Sequence, residues 1–94
     1  MIIFKYPLIK NSFTKDVANH LLHENPNKVI IIARENQGEI KMSIRSKTAI
    51  IPPILENALK VTNGGYGGGH EFACGANVKV EDFDKFVEEI KKQL

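Results

Sequence analysis

The 94-residue sequence, 43% apolar and 26% charged, holds material for one compact core and too little chain for two lobes with a cleft between them. Its net charge of +2 excludes a binder that relies on overall basicity, so any recognition of phosphate has to be local. The single cysteine, Cys74, has no disulfide partner and no CxxC pairing, which argues against structural zinc and for a reducing, cytoplasmic setting. The longest unbroken apolar run, residues 29–33, is too short for a membrane span or a signal-peptide core.

Residues 1–12 carry Ile2, Ile3 and Phe4 followed by Pro7, and read as a short edge strand or the remnant of a connection; the domain proper is expected over 13–94. From Ser12 to Glu24 the apolar residues Phe13, Val17, Ala18, Leu21 and Leu22 recur at helical spacing, with Ser12 or Thr14 able to cap the start and Asn25-Pro26-Asn27 ending it. Lys28 to Arg34 contains four consecutive β-branched residues, Val29 to Ile32, and predicts a strand with neither face polar, placed centrally. Asn36-Gln37-Gly38 supplies a turn. Glu39 to Lys47 then alternates, with Ile40, Met42 and Ile44 on one face and Lys41, Ser43, Arg45 and Lys47 on the other, so an antiparallel hairpin with a basic outer face is expected.

Pro52-Pro53 opens a predicted helix over Ile54 to Thr62, stopped at Asn63-Gly64. Alternation returns from Glu71 to Val80, with Phe72, Cys74, Ala76, Val78 and Val80 on one face, and a final helix over Glu81 to Leu94 buries Phe83, Phe86, Val87, Ile90 and Leu94. Its acids come first and its lysines last, as the helix dipole favours. The order of elements gives an α/β (α+β) class: a small mixed β-sheet with helices packed on it, in one domain.

Six of the seven glycines lie between positions 64 and 75. In Gly64-Gly65-Tyr66-Gly67-Gly68-Gly69-His70 they are more than a helix C-cap requires, and a glycine-rich loop lets backbone N–H groups converge on an anion. A Walker loop is excluded, because His70-Glu71 and a strand follow instead of Lys, Ser or Thr and a helix. The dinucleotide fingerprint fails on spacing, since it would need glycine at position 70, and on the order of elements. Arg45, one of two arginines, stands on the polar face of its strand beside Ser43 and Lys47, with a planar fork suited to phosphate.

Ser43-Ile44-Arg45-Ser46 at a strand end, a helix, and Gly67-Gly68-Gly69-His70-Glu71-Phe72-Ala73-Cys74-Gly75 before a last strand and helix resemble the DHH-associated domain. That domain is the C-terminal module of DHH phosphoesterases, which include RecJ-type single-strand exonucleases, nanoRNases and cyclic-dinucleotide phosphodiesterases, with relatives at the end of alanyl-tRNA synthetases. The resemblance covers residues 13 to 94; it departs at Cys74, where a second Ala is common, and at Glu71, where Pro is frequent. It implies that Arg45, Ser46, Gly67, Gly68, Gly69 and His70 bind the phosphate and nucleotide of a substrate. It implies partners as well: single-stranded nucleic acid or a nucleotide, and a DHH catalytic domain in cis or in trans.

The same resemblance places manganese in that separate catalytic domain. Here there is no Asp-His-His string and only three aspartates, 16, 82 and 84, so no catalytic residue and no metal ligand is assigned to this chain. A tRNA-binding or oligomerisation module and a stand-alone nucleotide phosphatase using His70 are the alternatives. Asp16, His20 and His23 are read as a solvated helix face, Cys74 as a small core residue, and Asn77 and Lys79 as facing solvent. Tyr66 is placed either to stack on a base or to anchor the glycine segment.

Overall fold

The structure, a computed structural model, describes residues 1–7 and 19–94. Five strands form one mixed sheet: β1 (Ile2–Pro7), β2 (Ile30–Asn36), β3 (Glu39–Arg45), β4 (Tyr66–His70) and β5 (Ala73–Lys79), in spatial order β1-β2-β3-β5-β4. β1 runs parallel to β2 and every other pairing is antiparallel. Residues 19–24 are helical and form α1; α2 spans Ile51–Leu59, and a turn of 3-10 helix, Val80–Asp82, leads into α3, Phe83–Lys92. The small mixed sheet with helices packed on it is the α+β arrangement that the order of elements implies. Phe13, Thr14, Asp16, Val17 and Ala18, expected in the first helix, lie outside the described residues.

Strand alternation divides the molecule into two apolar clusters. Ile31 and Ala33 of β2, Ile40, Met42 and Ile44 of β3, and Cys74, Ala76 and Val78 of β5 share the face covered by α2 and α3, where Leu55, Ala58, Phe86 and Ile90 close the main core. On the opposite face Ile30 and Ile32 pack with Ile2, Leu21 and Leu22, so α1 covers the β1–β2 side. This explains the β-branched run Ile30–Ile32 at the start of β2: from Ile30 to Ala33 the strand is buried on both faces, as the sequence implies, and its end, Arg34-Glu35-Asn36, is not. The central place itself belongs to β3.

The β2–β3 hairpin closes through Gln37 and Gly38 with φ of 52° and 81°, the two positive values that a tight primed turn demands. Helix α2 begins three residues earlier than Ile54, at Ile51. Pro52 and Pro53 have no N–H to leave unpaired, and the Ile51 N–H donates to the Glu71 carbonyl at 2.8 Å, so the first turn is satisfied without a side-chain cap. The residues at the N-terminus are a strand, not a bare connection: β1 pairs with β2 in register from Ile2 opposite Ile30. Phe72, expected on the inner face of the last strand, sits in the two-residue turn before β5 and is 43% exposed.

The glycine-rich segment is the largest correction. Tyr66–His70 is not a loop or a nest but the edge strand β4, hydrogen-bonded to β5 and exposed at all five positions. A flexible-loop reading follows from the intrinsic freedom of glycine, but tertiary pairing overrides it. Two of these glycines are required by close approach. A Cβ on Gly67 would stand 2.9 Å from the Cα of Ala76, and one on Gly69 (φ 153°) 2.8 Å from the Cα of Cys74, both in the neighbouring strand.

A candidate phosphate-binding face on the open half of the sheet

With α1 over the β1–β2 side, the β3–β5–β4 side of the same face carries three rows of side chains set by the register. Arg45, Ala73 and His70 form the first row, Ser43, Gly75 and Gly68 the second, and Lys41, Asn77 and Tyr66 the third. Arg45 and His70 are both partners of Ala73, one from each side, so their Cα atoms stand two strand spacings apart, about 10 Å. Between them stands only the small side chain of Ala73.

Electrostatics favour the same location. Among the described residues no carboxylate pairs with Arg45, Lys41 or His70, whereas Lys5, Lys85, Lys91 and Lys92 each have an acidic partner. Among the described residues the Arg45 guanidinium makes only a long 3.4 Å bond, to the carbonyl of Ile44. A hollow of about 550 Å³ opens beside His70, bounded by Pro52, Gly69, Glu71, Phe72 and Ala73; Glu71 is the acidic group on its wall and works against an anion there.

The ends of β3 and β4 are pinned together by backbone bonds. The Ser46 N–H donates to the Phe72 carbonyl at 3.1 Å, and the Ile51 bond to Glu71 holds the other side of the same turn. Ser46 is buried, 1% exposed, and its Oγ accepts the N–H groups of Thr48 at 3.1 Å and Ala49 at 2.8 Å. That hydroxyl shapes the turn behind Arg45 and does not line the open face. Of the residues singled out for phosphate, the structure brings together Arg45, Gly68 and His70 on that face, while Gly67 and Gly69 point to the core side and let β4 approach β5.

Cys74 is buried at 2% exposure, its thiol donating to the His70 carbonyl at 3.3 Å. Burial raises its pKa and the nearby Arg45 only partly opposes that, so it is a packed core residue as expected, not a nucleophile. Asn77, read from the sequence as solvent-facing, is half-buried and donates through Nδ2 to the Tyr66 hydroxyl at 3.2 Å. The signal for it lay in the glycine segment: once Tyr66–His70 is taken as a strand turning back at Glu71-Phe72, the register puts Tyr66 opposite Asn77. Among the described residues no three His, Cys, Asp or Glu side chains gather into a metal-ligating group, and no helix is long and apolar enough to cross a membrane.

No curated protein matches the sequence. Solved structures share its fold. The C-Ala domain of Aquifex aeolicus alanyl-tRNA synthetase superposes with a TM-score of 0.79 at 17% identity, over 97% of this chain and 87% of that one. RecJ from Thermus thermophilus superposes with a TM-score of 0.74 at 22% identity in its Mn²⁺ complex and again in its Mg²⁺ complex, over 98% of this chain and 13% or 14% of RecJ. The profile of the DHHA1 domain matches residues 6–94, nearly the whole sequence, and the chain therefore belongs to the DHHA1 domain family, which occurs in DHH phosphoesterases and in the alanyl-tRNA synthetase C-Ala domain.

Proposed function

We propose that this domain binds the phosphate of single-stranded nucleic acid or of a nucleotide and presents it to a separate DHH catalytic domain, as part of a RecJ-like exonuclease. The observation that carries the reading is the shared register of Arg45 and His70 on either side of Ala73, on a face that no other described element covers, with no acidic partner for either among the described residues. A planar fork and an imidazole across a small residue suit one tetrahedral oxyanion. Gly68 and Gly75 keep the adjoining floor free of side chains, so a sugar-phosphate chain can lie against the sheet. Ser46 serves this site from behind by fixing the turn after Arg45.

Hydrolysis belongs to the partner domain in this reading, together with its manganese, because His70 alone among the described residues offers an imidazole on this face and no group of metal-ligating side chains gathers around it. The first prediction follows directly. Arg45→Ala and His70→Ala each weaken binding of a fluorescently labelled single-stranded oligonucleotide about fivefold or more, as measured by anisotropy at low salt. Parent-like affinity in both variants overturns the assignment.

A further inference from the structure

The third row of the open face is chemically distinct from the first. Tyr66 is 64% exposed, an aromatic ring standing free at a sheet edge with its hydroxyl held by Asn77 Nδ2. Asn77 Oδ1 is closed to solvent and has no hydrogen-bond partner, the one such side-chain atom among the described residues. Lys41 stands in the same row without a carboxylate partner among the described residues, and a hollow of about 210 Å³ opens between Lys41, Tyr66, Gly67, Gly75 and Asn77. Four residues of strand separate this row from Arg45 and His70, about 13 Å at the rise of a β-strand, with only Ser43, Gly75 and Gly68 between.

We infer that Tyr66, Asn77 and Lys41 form a nucleobase subsite, so that the ligand of this face is an extended single strand of two or more nucleotides lying along β4 and β5. The inference rests on the phosphate-binding reading above and adds to it a direction, a minimum length and a base contact. The 5′ or 3′ phosphate takes the Arg45–His70 end, the backbone crosses the glycine floor, and a neighbouring base enters the hollow. Tyr66 turns to stack on that base, which uncovers the Asn77 amide. Oδ1 then accepts from an exocyclic amino group, and the second hydrogen of Nδ2 faces the adjacent ring nitrogen, the donor–acceptor pair that adenine presents. Lys41 takes the phosphate next to that base.

The test is a set of NMR titrations of the ¹⁵N-labelled 94-residue chain with three probes: ribose 5-phosphate, 5′-phosphorylated diadenylate, and the same dinucleotide with unsubstituted purine in place of each adenine. Tyr66→Leu is expected to weaken the diadenylate at least about fivefold while leaving ribose 5-phosphate within twofold of the parent, because an exposed ring is removed and the first row is untouched. Asn77→Ala is expected to abolish the parent's preference for adenine over purine. Diadenylate binding unchanged in Tyr66→Leu, or ribose 5-phosphate weakened as much as diadenylate, overturns the subsite. Arg45→Ala separates the two readings. If it leaves ribose 5-phosphate unaffected while Tyr66→Leu still weakens diadenylate, the phosphate assignment fails and the base subsite stands.

Discussion

Gly67 and Gly68 are adjacent glycines with opposite physical reasons. A side chain at 67 runs into the backbone of β5, whereas one at 68 meets nothing within 4 Å and projects over the open face. Gly67→Ala is therefore expected to cost about 1–3 kcal/mol of stability as an overpacking change, visible as a lower urea midpoint. Gly68→Ala should unfold at the parent's midpoint or slightly above it, since alanine is no worse in a strand, yet bind oligonucleotide more weakly if the ligand lies as proposed, because its methyl would stand on that floor. Equal loss of stability in both variants would mean that the strand is packed differently from the arrangement described. The sequence alone shows that glycine is concentrated here and that His70 follows. It does not show which glycines serve packing and which serve binding, because that depends on a pairing partner further along the chain in β5.

At the level of elements, the segments with strong periodicity were legible and the connections less so. The β2–β3 hairpin and the stripe Phe83, Phe86, Val87 and Ile90 of α3 follow from local pattern, though Leu94, expected in the same stripe, lies past the end of the helix and is 55% exposed; the early start of α2 depends on a carbonyl of the β4–β5 turn that no local pattern contains. A second long-range contact fixes the entry to α3. Asp82, 4% exposed, accepts the Asn63 N–H at 2.8 Å and pairs with Lys85 at 3.1 Å, tying the turn after α2 to the 3-10 turn before α3. The backbone bond first, and Lys85 second, hold its carboxyl below the usual carboxylate range. A carboxyl whose folded pKa is depressed contributes stability above its unfolded value, about 3.9, and loses it as pH falls through the folded value. Asp82→Asn should accordingly narrow the difference between urea midpoints measured at pH 7 and near pH 2.5, with most of the change at pH 7. An unchanged difference would show that the Asn63 and Lys85 contacts contribute nothing to folding.

For the whole molecule, the deciding property is unequal coverage of one sheet. From Ile30 to Ala33 both faces of β2 are apolar and buried, while the far side of β3, β5 and β4 is polar and glycine-rich and is covered by no other described element on the face opposite α2 and α3. The alternation of Lys41, Ser43 and Arg45 already distinguishes these halves in the sequence; only the register reveals that His70, Gly68 and Tyr66 continue the same rows. Charge follows the same division. Lys85, Lys91 and Lys92 on α3 are each paired with an acid three residues earlier, so the +2 net charge does not make the whole surface attractive to phosphate. If Arg45 and Lys41 are the cations that meet phosphate, the logarithm of oligonucleotide affinity should fall with the logarithm of salt at a slope near −1.4, about −0.7 for each neutralised phosphate of a single strand. Raising salt from ~50 to ~200 mM then weakens binding only about sevenfold, and Arg45→Ala brings the slope to about −0.7. A slope several times steeper in the parent, or one that Arg45→Ala leaves alone, would place the interface on other cations. A shallow slope also means that few phosphates are neutralised by the isolated domain, so that, on the function proposed above, a catalytic domain holding the same strand would add affinity by raising its effective concentration at this face.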